Sequence, residues 1–123
     1  MITGQITANR EAVVKLEIRS TQGTSAEVEF VLDTGFSEFL TLPPTLIFAL
    51  ALPLRTTTPM YLADGSRIAV NVYDAVVVWD GAERLVGVHS VHGGALLGMS
   101  LLYGSRLLLD AVDGGPVTIT PIP

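Results

Sequence analysis

The feature that most limits the fold is a period of two that never runs for long. Val14, Leu16 and Ile18 alternate with Lys15, Glu17 and Arg19, and Ala26, Val28, Phe30 and Leu32 alternate with Glu27 and Glu29. Alternation of this kind places apolar side chains on one face of a strand and charged ones on the other. Turn signals interrupt each run: Thr21-Gln22-Gly23-Thr24, Ala63-Asp64-Gly65-Ser66, Asp80-Gly81, Gly93-Gly94 and Asp113-Gly114-Gly115. Many short strands divided by turns imply an all-β class. A chain of 123 residues is the size of one domain, expected to span 1–123.

Taken in order, strands are expected over 2–7, around Val14–Ile18, over 25–32 and, briefly, over 39–42. Further strands are expected over 54–62, 67–73, 76–79 and 85–91, then from Arg106 to Val112 and from Val117 to Ile122. Pro43-Pro44 and Pro53 bracket a short helix over 45–52. That helix is apolar on nearly every side, so it should be mostly covered, by the sheet or by another subunit. Ser100 to Tyr103 could form a second helical turn. The expected architecture is therefore all-β with one or two short helices.

Composition excludes several classes of function. Hydrophobic residues make up 49% and charged residues 15%, which predicts a packed core rather than disorder. The net charge is −5 and no Lys/Arg run exists, so nucleic acid is not an expected partner. There is no cysteine, which removes disulfides and thiolate metal sites. The longest apolar run, Leu46 to Leu52, falls far short of the ~20 residues of a membrane span. Met1-Ile2-Thr3-Gly4-Gln5 lacks the charged and apolar regions of a secretory signal, so an intracellular, cytoplasmic location is expected.

The chemistry concentrates where one alternating strand ends, at Leu32-Asp33-Thr34-Gly35. A carboxylate at the end of a buried strand is costly unless it is paired or solvated. Thr34 can donate and accept a hydrogen bond, and Gly35 lets another backbone come close. The stretch reads either as a carboxylate held in a tight loop at the floor of a cleft or as an ordinary Asp-x-Gly turn. Other candidates are weaker. His89 and His92 fall on opposite faces of a strand, which is poor for a shared metal, so solvated or core histidines are expected. Asp110, Asp113 and Asp64 sit in turns, Trp79 follows three valines, and Ser37 has no histidine base in a supporting motif.

Three features stand in a fixed order at similar intervals: Leu32-Asp33-Thr34-Gly35, the Asp64-Gly65 hairpin, and Leu96-Leu97-Gly98 after a Gly-rich break. This order resembles the retropepsin-like single-domain aspartic proteases, the retroviral type and its small bacterial relatives, over roughly residues 12–120. The resemblance implies a retropepsin-like acid protease barrel with Asp33 as the catalytic aspartate. It implies that Thr34 ties two active-site loops together across a dimer and that Gly35 admits the substrate backbone. It makes Tyr61, Leu62, Ala63, Asp64 and Gly65 the flap, and Leu96, Leu97 and Gly98 the second leg of a ψ-shaped loop under Asp33. The expected partners are a second copy of the chain and a polypeptide substrate; no cofactor or metal is implied.

The chemistry of that family needs two carboxylates that share one proton, one as general base for a water and the other as general acid. This chain has one Asp-Thr-Gly, so a twofold homodimer would complete the site. In retroviral relatives the chain ends pair between subunits, which points to residues 1–7 and 117–123. Phe36 departs from the alanine of retroviral enzymes and from the serine or threonine of pepsin-like ones. Met99 replaces the arginine that follows the second motif, and the flap tip has fewer glycines. One alternative is a non-catalytic dimeric peptide-binding or assembly module of the same fold, with Phe36 occluding the cleft. Another is a small β-barrel adaptor with no cleft.

Overall fold

The alternating segments pair as the period of two demands. In the computed structural model, which describes residues 1–123, β2 (Ala12–Arg19) and β3 (Ser25–Leu32) form an antiparallel hairpin. Val14 lies opposite Phe30, Leu16 opposite Val28 and Ile18 opposite Ala26. Val14, Leu16, Ile18, Val28 and Phe30 are all buried, while Lys15 and Glu29 face each other on the solvent side. Arg19 lies beside Glu17 and Glu83, offsetting the like-charge pair Glu17 and Glu27.

The remaining strands are β1 (Ile2–Ile6), β4 (Leu40–Leu42), β5 (Leu54–Tyr61), β6 (Arg67–Trp79), β7 (Ala82–Ser90), β8 (Leu96–Leu97), β9 (Ser105–Leu109) and β10 (Pro116–Pro121). The helices are α1 (Pro44–Leu50) and α2 (Met99–Leu102). One sheet runs in the order β5-β6-β7-β4-β8-β3-β2-β1-β10-β9, and β6 also pairs with β2, which curls the sheet around its core. A cluster of 20 buried apolar residues fills the interior, with Phe30, Ile18, Leu40, Leu97 and Leu101 among the fully enclosed side chains. No helix is long and apolar enough to cross a membrane.

Four local expectations need correction. Residues 67–79 form one strand of 13 residues rather than two strands. Asp74 does not break it, because Arg55 pairs with its carboxylate and its backbone N–H donates to the Pro53 carbonyl. The α1 helix is not mostly covered. Ile47 and Leu50 face the core, whereas Phe48 is 87% exposed, because the helix lies on the surface of the sheet and buries a single face. The penultimate strand stops at Leu109, where Asp110 to Gly115 turn back. The chain ends, β1 and β10, pair with each other, and each has a second neighbour within the chain. The open edges of the sheet belong to β5 and β9 instead.

Candidate active site

The sequence around Asp33 folds into a ψ-shaped crossing. The β3 strand descends to Leu32, the chain loops through 33–39, and β4 leaves in a new direction. The two-residue β8 lies between these legs: Leu32 is in parallel register with Leu97, and Leu40 is opposite Leu97 on the other side. Backbone bonds from Val31 N–H to the Ala95 carbonyl and from Asp33 N–H to the Leu97 carbonyl, each 2.9 Å, fix the first leg. Leu40, Thr41 and Leu42 then run parallel to Val88, His89 and Ser90 of β7.

Asp33 is half-buried at the start of the loop. Its Oδ1 accepts a 2.9 Å hydrogen bond from Gly35 N–H, and its carbonyl accepts one from Phe36 N–H at 3.1 Å. A Cβ on Gly35 would stand 3.3 Å from that same Oδ1, so a side chain there would crowd the carboxylate. Thr34 and Gly35 are exposed, and the Thr34 hydroxyl makes no hydrogen bond within the chain.

Leu96-Leu97-Gly98 supports this loop from below, and the need for glycine is steric. A Cβ on Gly98 would lie 2.1 Å from the Glu38 carbonyl oxygen and 2.6 Å from Cδ2 of Phe36. That closeness lets Gly98 N–H donate to the Phe39 carbonyl at 2.9 Å, Met99 N–H to Phe36 at 2.8 Å and Ser100 N–H to Glu38 at 3.2 Å. The free N–H groups at the start of α2 are thereby satisfied by the active-site loop itself. Ser100 Oγ adds a bond to the Ser37 carbonyl at 2.6 Å.

Above the loop, β5 and β6 form a hairpin that overhangs Asp33. A cavity of about 470 Å³ lies between them, with Asp33, Phe36 and Glu38 on one side and Thr58, Pro59, Met60 and Tyr61 on the other. Of the expected flap residues, Tyr61 lines this cavity, while Leu62, Ala63, Asp64 and Gly65 lie at the hairpin tip, beyond the lining. Asp64 is engaged in the turn: its Oδ1 accepts from Ser66 N–H at 2.8 Å and from Ser66 Oγ at 2.6 Å, which holds its carboxyl below the usual range. Leu96 also lines the cavity, whereas Leu97 is fully buried beneath it.

Phe36 does not fill the cleft. Its ring meets His89 edge to face, with centroids 5.9 Å apart at 86°. His89, which the sequence reads as a solvated or core histidine, belongs to this site. It is only 7% exposed, it lines the cavity, and its Nδ1 has no hydrogen-bond partner. Burial pushes its pKa down, against the opposing pull of Glu38. His92, by contrast, is exposed. A second cavity, about 530 Å³ and mostly apolar, opens between the β1–β2 turn and residues 109–113; it holds Leu32 and Asp113 but not Asp33.

No protein-family model and no curated protein sequence matches the chain. Among solved structures, the chain is similar to a retropepsin-like aspartic protease from Rickettsia conorii. The match has a TM-score of 0.53 and 19% identity, and covers 98% of this chain and 92% of that one. The ψ-shaped crossing under Asp33, the overhanging hairpin and this likeness over nearly the whole length together give the chain the retropepsin-like fold.

Proposed function

We propose that the chain is a homodimeric aspartic endopeptidase that uses one Asp33 from each subunit. The observation that carries this reading is the position of Asp33: at the floor of a cavity, in a loop held from below by Gly98 and overhung by the β5–β6 hairpin. A carboxylate in a stiff loop, half-open to a peptide-sized cleft, is what hydrolysis by an activated water requires.

One chain supplies one such carboxylate, because Glu38, the other acid lining the cavity, is exposed. Asp64 is held by Ser66 in its turn, and Asp113 borders the other cavity. A second copy related by a twofold axis brings the second Asp33 to the first. Two carboxylates ~3 Å apart share a proton. The ionised one takes a proton from water as that water attacks the peptide carbonyl. The protonated one donates to the reacting group as the bond breaks. Thr34, exposed and free of partners within the chain, is the natural contact between the two loops. The exposed Tyr61 and its neighbours on β5 form the part of the flap nearest the substrate.

The packing of Phe36 against His89 supports an open cleft over the alternative of a module plugged by that ring. The test is cleavage of a diverse peptide library between about pH 4 and 7, by the wild type and by Asp33→Asn in parallel. The expected result is cleavage that the substitution abolishes. A folded dimer with no cleavage in either form favours the non-catalytic peptide-binding module.

A further inference from the structure

We propose that a second copy of this chain docks along the free edge of β9 and fills the apolar groove at the end of that strand. This deepens the dimeric reading above and rests on it, since two Asp33 carboxylates must meet. The chain ends are already paired within one chain, whereas β9 has β10 on one side and no strand on the other. Hydrogen bonds from Asp110 N–H to the Pro116 carbonyl and from Ile122 N–H to the Gly104 carbonyl turn the even-numbered residues of this stretch toward β10. The backbone groups of Ser105, Leu107 and Leu109 therefore point outward, ready to pair with another strand. Leu108 is 64% exposed on this edge, and no lysine, proline or bulge interrupts it to keep other strands away.

The two ends of β9 complement each other. At the Leu109 end lies the groove of about 530 Å³, lined by Leu32, Leu109 and the exposed Val112, with the carboxylates of Glu11 and Asp113 against the single cation Arg10. At the Ser105 end stand Tyr103, 87% exposed, and the exposed Arg106. Arg106, Glu11 and Asp113 form no ion pair within the chain. A twofold axis perpendicular to the strand pairs β9 with its mate in antiparallel fashion, each end against the opposite end. Tyr103 of the partner subunit then enters the groove, and Arg106 of the partner subunit approaches Glu11 and Asp113. The same contacts recur across the axis, as a self-complementary interface demands. Leu32 lines the groove and immediately precedes Asp33, so a copy seated there stands beside the active-site loop.

The experiment is sedimentation equilibrium on the intact chain. Wild type should be a dimer. Val112→Arg and Tyr103→Ser, both at exposed positions, should each raise the dimer dissociation constant by about tenfold or more, the size of losing one buried apolar side chain. Phe48→Ser is the control. Phe48 is just as exposed, but α1 sits at the far end of the β2–β3 hairpin, where the Thr24 hydroxyl donates to the Leu50 carbonyl, so self-association should not change. Because the chain has no cysteine, Arg106→Cys and Leu108→Cys report the pairing directly. A short bismaleimide should link each of these variants into a covalent dimer and should not link Phe48→Cys. A monomeric wild type overturns the proposal. So does a dimer in which neither Arg106→Cys nor Leu108→Cys is linked, or one whose dissociation constant neither Val112→Arg nor Tyr103→Ser moves. These outcomes are read independently of cleavage: a β9-paired dimer that cleaves no peptide supports the interface while the protease reading fails, and Asp33-dependent cleavage by a dimer not linked through β9 does the reverse.

Discussion

Replacing Gly98 by alanine isolates the contact that holds the active-site loop in place. Its backbone angles, φ −100° and ψ 177°, suit any residue, so the substitution introduces no backbone strain. The added Cβ, however, would stand 2.1 Å from the Glu38 carbonyl oxygen and 2.7 Å from that of Phe36. Both are backbone atoms, and neither can rotate away. The loop must lift, which stretches the bonds from Gly98, Met99 and Ser100 to the Phe39, Phe36 and Glu38 carbonyls. Overpacking of this kind costs about 1–3 kcal/mol, and loosening the two shorter of these bonds, from Gly98 and Met99, adds about 1 kcal/mol each. The total is about 3–5 kcal/mol, a large share of the roughly 5–15 kcal/mol that holds a typical domain folded. Urea denaturation should show the midpoint falling at unchanged slope. Gly94→Ala is the control: its added Cβ meets nothing within 4 Å, and stability should change by no more than about 1 kcal/mol. A loss below about 1 kcal/mol for Gly98→Ala would refute the claim that the loop rests on this glycine.

Other expectations follow from the same contacts. Phe30 is fully buried at the centre of the core, and Phe30→Ala should cost about 3–5 kcal/mol in the same denaturation assay. Because burial holds His89 below its ordinary value, the unfolded chain takes up a proton first as pH falls through about 6.5. The native state binds fewer protons in that window, so stability should fall with pH there. His89→Gln should flatten that part of a plot of Tm against pH, with Glu38, Asp33 and Tyr61, which share the cavity, left in place. Thr34→Ala removes an exposed hydroxyl with no partner in its own chain, so the fold should change by less than about 0.5 kcal/mol. On the dimeric reading, sedimentation equilibrium should nevertheless show weaker self-association.

Much of this architecture is legible in the sequence, for local reasons. The β2–β3 hairpin follows from Val14, Leu16 and Ile18 facing Phe30, Val28 and Ala26, and a period of two admits no other face. Asp80 and Gly81, both at positive φ, close β6 onto β7 as an Asp-Gly pair should. What escaped the sequence depends on contacts between distant segments. The run Val86 to His89 is buried at four successive residues, because loop 33–38 and the β5–β6 hairpin cover the face that alternation would leave to solvent. Parallel pairing of Thr41 with His89 brings that histidine to the Asp33 cavity, and no short spacing in the sequence records it. The continuity of β6 through Asp74 depends in the same way on Arg55, which lies on a different strand.

The most direct test of the central claim is subunit mixing. Wild type and Asp33→Asn are combined in equal amounts, allowed to exchange, and assayed on a cleaved peptide. If each active site needs Asp33 from both subunits, only about one quarter of the dimers keep an intact pair, and activity per total protein should fall to about one quarter of the wild-type value. Activity near one half would mean that a single chain carries a complete site, and would contradict the account.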